Sequence, residues 1–422
     1  MYKLFALLDK YLLPVMTRLS EQRHLRAVRD GIVSTIPLII VGSFFLIIAF
    51  PPLPALAAVV KPYAGQILLP FRLTMGLMAL YACHSIGYHL AKSYKLDGVS
   101  GGLLAMAAFL LTSVPVTYQD KGLALLMENL GGGSMFVAIV MALFAVEVLR
   151  FAKTRQLTIK MPAGVPESVA RSFEALIPAA IIIPVVWAVR DLVGFDIHQF
   201  VLELFQPLVQ AGNTLAGVLT PIIIITLLWA TGIHGDSVVG SVARPIWLVL
   251  LDQNIAAAAA GQPVPNIAPE PFFQWFVWIG GSGATIGLVL GMLFSRAPYL
   301  KSMARAAFLP AVCNINEPII FGVPVMLNPL LFVPFLLGPV IIGVLTYFTM
   351  LFGLVSKPYI LVPWTLPAPV GAYLATGGDW RAVILVIVNI AIVTCLYFPF
   401  LKAYERKLIR EGAAGDSEEE TK

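Results

Sequence analysis

The stretch CNINEPIIFGVPVMLNP, Cys313–Pro329, places two asparagines and a glutamate ahead of an apolar run that is itself cut by prolines. In a water-soluble protein it would read as a polar loop before a core helix. The rest of the chain excludes that setting. Hydrophobic residues make up 59% of it and charged residues 12%, against about a quarter charged in soluble domains. Water cannot be the solvent for most of such a surface, so the sequence is that of a membrane protein. Glu317 then becomes the informative residue, because a carboxylate at mid-membrane costs several kcal/mol unless a partner, a cavity or a function accounts for it.

Around Glu317 the prolines recur at 318, 324, 329, 334 and 339. That density argues against one uninterrupted helix and predicts broken helices or a re-entrant hairpin. Proline is favoured at the first helical position, which puts Glu317 at the cap of a helix beginning at Pro318, beside free backbone N–H groups. Asn314 and Asn316 flank it with amide donors and acceptors.

Outward from this element, apolar stretches at Gly31–Phe50, Leu69–Leu90, Gly101–Val114, Phe136–Leu149 and Phe173–Val189 form a first half of five crossings. Lys92, Lys95, Arg150, Lys153, Arg155 and Lys160 mark its cytoplasmic loops, and Asp120, Lys121 and Glu128 an outer one. Leu4, Leu8, Leu12, Val15 and Leu19 recur at helical spacing among basic residues, the pattern of an amphipathic helix on the cytoplasmic surface. FDIHQFVLELFQPLVQAG at 195–212 predicts a second interfacial helix, with the domain boundary near residue 192. The second half, 193–410, is less regular, and ends in the apolar stretch Ala382–Leu401. About ten crossings are expected in all, in an all-α polytopic protein with interfacial helices and re-entrant hairpins. Lys402, Arg406, Lys407 and Arg410 place the C-terminus inside with the N-terminus, and the tail 411–422 is expected to be disordered.

The second half also holds the polar motifs. Irregular backbone at membrane depth is tolerated where it is buried in protein or lines a cavity, so WATGIHGDSVVGSVARP (229–245), WIGGSGATIG (278–287) and the opening stretch point to the substrate site. His234 sits between Gly232 and Gly235 and can donate and accept near neutral pH. Trp229 and Trp364 offer aromatic faces to the C–H faces of a sugar, while Glu317, Asn316 and His234 offer groups for its hydroxyls. Gly280 and Gly281 allow backbone to approach a ligand. His84 and His89 lie in an ordinary span and read as structural. Cys83, Cys313 and Cys395 are too dispersed for a disulfide framework or a zinc site, and no metal or cofactor motif is present. The net charge of +5 sits near span ends, which argues for topology and against nucleic-acid binding.

WATGIHGD at 229–236, CNINEPIIFGVPVMLNP at 313–329, PWTLPAPVG at 363–371 and LAKSYKLD at 90–97 together make the sequence resemble the membrane IIC component of the sugar phosphotransferase system, in its lactose/cellobiose/diacetylchitobiose branch. The resemblance implies a homodimer in which residues 1–192 form the interface and 193–410 a sugar-enclosing transport half. It implies that Glu317 and His234 bind the sugar close to the hydroxyl that becomes phosphorylated, with contacts from Trp229, Gly280, Gly281, Asn316 and Trp364. It further implies that a disaccharide crosses to the cytoplasmic side and receives a phosphoryl group on its 6-hydroxyl from a phosphocysteine of a IIB subunit, itself supplied by IIA. The short termini are read as leaving IIB and IIA in trans. A carboxylate at 317 is placed to orient or deprotonate the attacking hydroxyl. Taken alone, the residues also admit an ion-coupled sugar transporter with Glu317 and His234 as a proton relay, or a membrane enzyme acting on a lipid-linked sugar, which would need an acidic metal-binding cluster that the sequence lacks.

Overall fold

The structure is a computed structural model that describes residues 18, 21–51, 54–113, 116–117, 122–159, 161–162, 164–323, 325 and 328–419. The predicted amphipathic segment at Leu4–Leu19 lies outside them except for Arg18, as do Asp120, Lys121, Lys160 and Pro324.

The first apolar stretch forms α1 (Arg23–Val33) and α2 (Ile36–Ala49). Gln22 caps α1 by accepting the Leu25 N–H, and Pro37 sits in the first turn of α2, where its missing N–H has no intrahelical role. Ile39, Gly42, Leu46 and Ala49 form the buried stripe of α2, while Val41, Phe44 and Ile48 face outward. A helix apolar on both faces has hydrocarbon as its outer solvent.

Next come α3 (Met78–Ser93), α4 (Gly98–Thr112) and α5 (Met135–Thr154). Small residues set their spacing. A Cβ on Gly87 would lie 2.7 Å from the Gly101 carbonyl oxygen, and one on Gly31 would lie 2.5 Å from the Ile86 side chain. With no hydrophobic force between helices in lipid, such close backbone approach is what gives them contact. Between α4 and α5 a two-residue antiparallel pair, Val116–Thr117 with Leu123–Ala124, is the sheet described.

α6 (Leu176–Trp187) runs on through a wide turn at Ala188–Leu192 and bends by 86° into α7 (Ile197–Gly212), whose N-terminus Asp196 caps. α7 buries His198, Val201 and Val209 and exposes Phe200, Leu204 and Leu208.

The second half contributes, among its elements, α8 (Leu215–Ala230), α9 (Gly235–Ala259), α10 (Ile286–Leu293), α11 (Pro298–Val312), α12 (Glu317–Gly322), α13 (Pro329–Leu351), α14 (Ala368–Ala375) and α15 (Trp380–Glu419). Their core is tied by polar links. Asn389 of α15 donates to the Phe276 carbonyl and to Thr346 of α13, and the Tyr397 hydroxyl donates to the Gly283 carbonyl.

Among the described residues, five helical stretches are long and apolar enough to cross a bilayer: Arg23–Ala49, Ala58–Ser93, Gly132–Thr154, Leu330–Leu351 and Trp380–Arg410. The bent pair at Leu176–Gly212 makes a sixth, and Gly98–Thr112 and Leu215–Trp229 are apolar but shorter. Other apolar sequence of the second half is divided into short helical fragments, as at Glu270–Val277 and Ile286–Leu293. The proline reading is corrected in one respect. The chain does break between α12 and α13, yet Pro334 and Pro339 lie inside α13 without ending it, because packed neighbours in a membrane bundle can satisfy the freed carbonyls. α15 continues to Glu419, into the stretch expected to be disordered.

Candidate functional site

The irregular segments of the second half meet at one loop. Gly280, Gly281, Gly283 and Ala284 all have positive φ, from 52° to 96°. For alanine that conformation is strained, and two asparagines from the opening stretch hold the loop in place. Asn314 accepts the Gly280 N–H at 3.0 Å and donates to the carbonyls of Trp364 and Leu366. Asn316 donates to the Ser282 carbonyl at 2.8 Å. One asparagine thus ties the Gly-rich loop to the Trp364 segment, and the other fixes the loop beside Glu317.

Glu317 opens α12 with Asn316 as its N-cap, one residue earlier than predicted. It is exposed, and among the described residues no hydrogen bond or ion pair engages its carboxylate. The start of α12 places backbone N–H groups beside it, which favours a negative charge.

His234 is the N-cap of α9, and its Nδ1 accepts from the Ser237 N–H at 3.3 Å. With Nδ1 as acceptor, the neutral ring carries its proton on Nε2, a donor for a ligand. The Trp229 ring packs against it, with centroids 4.5 Å apart. Trp229 is only 3% exposed and donates its indole N–H to Asp236 at 3.0 Å. Ser282 of the Gly-rich loop donates to the same carboxylate oxygen.

These groups line a cavity of about 310 Å³, at the lower end of ligand pockets, which run about 300–1,000 Å³. Six of the seven predicted residues line it: Trp229, His234, Gly281, Asn316, Glu317 and Trp364. Gly280 does not; a Cβ there would lie 2.5 Å from the Ile286 backbone nitrogen, so this glycine serves the packing of the loop. The Asn316 amide nitrogen is committed to backbone, leaving its oxygen for a ligand. Trp364 is 47% exposed and offers an open face. His84 and His89 lie elsewhere, and a Cβ on Gly102 would meet the His84 ring at 2.7 Å.

Sequence reasoning missed Trp278, Ser282, Asp236 and the ion pair of Arg244 Nε with Glu270 Oε1 at 3.0 Å, all of which line the cavity. Two charges embedded in apolar sequence were the available signal for the pair. Ile32, Ile36, Ile39 and Ile40 complete the wall from the first span. Among the described residues no group of three His, Cys, Asp or Glu is placed to hold a metal ion.

A polytopic helical bundle whose polar cavity brings together an exposed carboxylate, an imidazole and an open tryptophan face has the groups to hold a polyhydroxylated solute. The family profile described as "Phosphotransferase system, EIIC" matches residues 29–339, and the chain belongs to that family: it is a sugar permease IIC component of the phosphotransferase system. It is 39% identical to the cellobiose-specific EIIC component of Geobacillus stearothermophilus, covering 98% of this chain and 97% of that one. It is also 39% identical to the lichenan permease IIC component of Bacillus subtilis (strain 168), covering 97% and 96%. The solved structure of the transporter ChbC, the IIC component of an N,N'-diacetylchitobiose-specific phosphotransferase system, superposes with a TM-score of 0.91 at 40% identity, over 96% of this chain and 99% of ChbC.

Proposed function

We propose that the cavity binds a β-linked disaccharide of the cellobiose, diacetylchitobiose or lactose type and carries it to the cytoplasmic side, where a IIB subunit phosphorylates its 6-hydroxyl. The observation that carries this reading is a Glu317 carboxylate, without a partner among the described residues, sharing one cavity with the His234 ring and the open face of Trp364. Tryptophan faces bury the apolar faces of pyranose rings, and Glu317 and the Nε2–H of His234 accept and donate to the hydroxyls. Bound to the hydroxyl that reacts, Glu317 orients it and draws on its proton as the oxygen attacks phosphorus. The added phosphate then makes the step one-way. Relatives named for cellobiose and diacetylchitobiose support the substrate class.

The same reading takes residues 1–192 as the scaffold of a homodimer in the bacterial cell membrane and 193–410 as the moving half, with both termini cytoplasmic. The isoleucines of α1 and α2 in the cavity wall support a site at the border between halves. Equilibrium binding of the three sugars to purified protein tests the substrate class, and binding of none of them overturns it. Sugar accumulation in vesicles that hold a proton gradient but no IIB would overturn phosphorylation-coupled transport.

A further inference from the structure

The Asp236 carboxylate lines the cavity and accepts hydrogen bonds from two other elements. Its Oδ2 accepts the indole N–H of Trp229, at the end of α8, at 3.0 Å. It also accepts the hydroxyl of Ser282, in the Gly280–Ala284 loop, which is buried at 7% exposure. Asp236 itself lies in the first turn of α9, two residues after His234, where the helix N-terminus favours a carboxylate. The two motifs of the site are therefore joined through one oxygen. On one side are Trp229 and the His234 ring packed against it. On the other is the loop that Asn314 and Asn316 hold beside Glu317.

We propose that Asp236 is a positioning residue, which sets the sugar affinity by holding Trp229 and the Ser282 loop in register, so that His234 and Glu317 face one cavity. Both lone pairs directed at these donors are used, so Asp236 acts through the groups it holds. A bond from each neighbour is needed. The indole has a single N–H whose direction fixes the ring plane, and the loop has positive-φ backbone that depends on its side-chain ties. The inference rests on the cavity being the sugar site.

The test is equilibrium binding of cellobiose, diacetylchitobiose and lactose to wild type, Asp236→Ala, Asp236→Asn, Ser282→Ala and the double variant Asp236→Ala/Ser282→Ala, with a melting curve for each. Asp236→Ala is expected to weaken binding at least about tenfold, equal to about 1.4 kcal/mol. Asp236→Asn restores affinity to within about threefold, because an amide oxygen also has two lone pairs. The double variant binds no worse than Asp236→Ala, since residues acting through one link are not additive. If Asp236→Ala fails to fold, Ser282→Ala alone carries the test, with an expected loss of about threefold or more. Unchanged affinity in the alanine variants, additive losses, or an asparagine variant as weak as alanine overturns the assignment. Wild type that binds none of the sugars overturns the reading of the cavity and this assignment with it.

Discussion

The Asp252 carboxylate of α9 accepts the backbone N–H of Gly133 at 3.0 Å, just ahead of α5. Two glycines make the approach possible, since a Cβ on Gly132 would lie 3.0 Å from the Asp252 Cβ and one on Gly133 would lie 3.3 Å from Oδ2. α5 belongs to the first half and α9 to the second, so a half-buried carboxylate links the two bodies proposed to move. Any relative movement at this point must part it from its donor.

Asp252→Ala is expected to destabilise the protein by about 1 kcal/mol, the net worth of one half-buried hydrogen bond. Asp252→Asn keeps an oxygen in place and should lose less. Thermal melting of the detergent-solubilised protein checks both, and an alanine variant that melts with wild type would show that water or lipid replaces the contact.

Gly281→Ala should abolish sugar binding while leaving most of the fold. At φ +96° a side chain adds about 1–3 kcal/mol of backbone strain. Its Cβ would also lie 2.5 Å from Cγ of Asn316, which must then release the Ser282 carbonyl. Gly65→Ala is the control, because nothing lies within 4 Å of a Cβ there. Affinity of wild type, the variant and the control for the same sugar decides the matter; a Gly281→Ala protein with wild-type affinity contradicts the clamp.

Much of this was legible because membrane chemistry makes polar residues conspicuous. Glu317, His234, Trp229 and Trp364 stood out against apolar sequence, and all four line the cavity. Asp236 and Ser282 did not, since a short polar residue beside a glycine reads as a turn until the fold brings residues 46 positions apart into contact. Asn316 was read as a ligand contact, but its amide nitrogen serves the backbone. The bend after α6 was visible in the change from an apolar to a mixed pattern near 192. The continuity of α13 through Pro334 and Pro339 was not, because it depends on neighbours that local sequence does not name.

Asp379, just ahead of α15, gives a pH dependence. Burial raises its pKa, but hydrogen bonds from Arg381 and the Ser356 N–H outweigh that and hold the carboxyl at about 2. A folded pKa below the unfolded value of about 3.9 means that the charged form stabilises the fold. That contribution is complete above about pH 4–5 and is lost as pH falls toward 2. Melting temperature should therefore drop over this window in wild type and less steeply in Asp379→Asn. Parallel curves for the two proteins would exclude the link.

Glu317 should separate function from stability. Its carboxylate is exposed to the cavity and has no partner among the described residues, so neutralising it costs the fold no ion pair or hydrogen bond. Glu317→Gln removes the charge and keeps the shape. The expected result is a protein that melts at or above the wild-type temperature. Sugar binding should fall by less than about tenfold, because the amide still bonds hydroxyls. IIB-dependent phosphorylation at saturating sugar should fall by about 10²-fold or more, the usual contribution of a general base. Glu317→Ala should lose both binding and phosphorylation, having neither charge nor hydrogen-bonding atoms. Measuring the maximal rate and the affinity in one reconstituted system makes the distinction: a Gln variant phosphorylated at the wild-type rate would leave Glu317 a binding group alone, and one that also failed to bind would place its charge in recognition of the sugar.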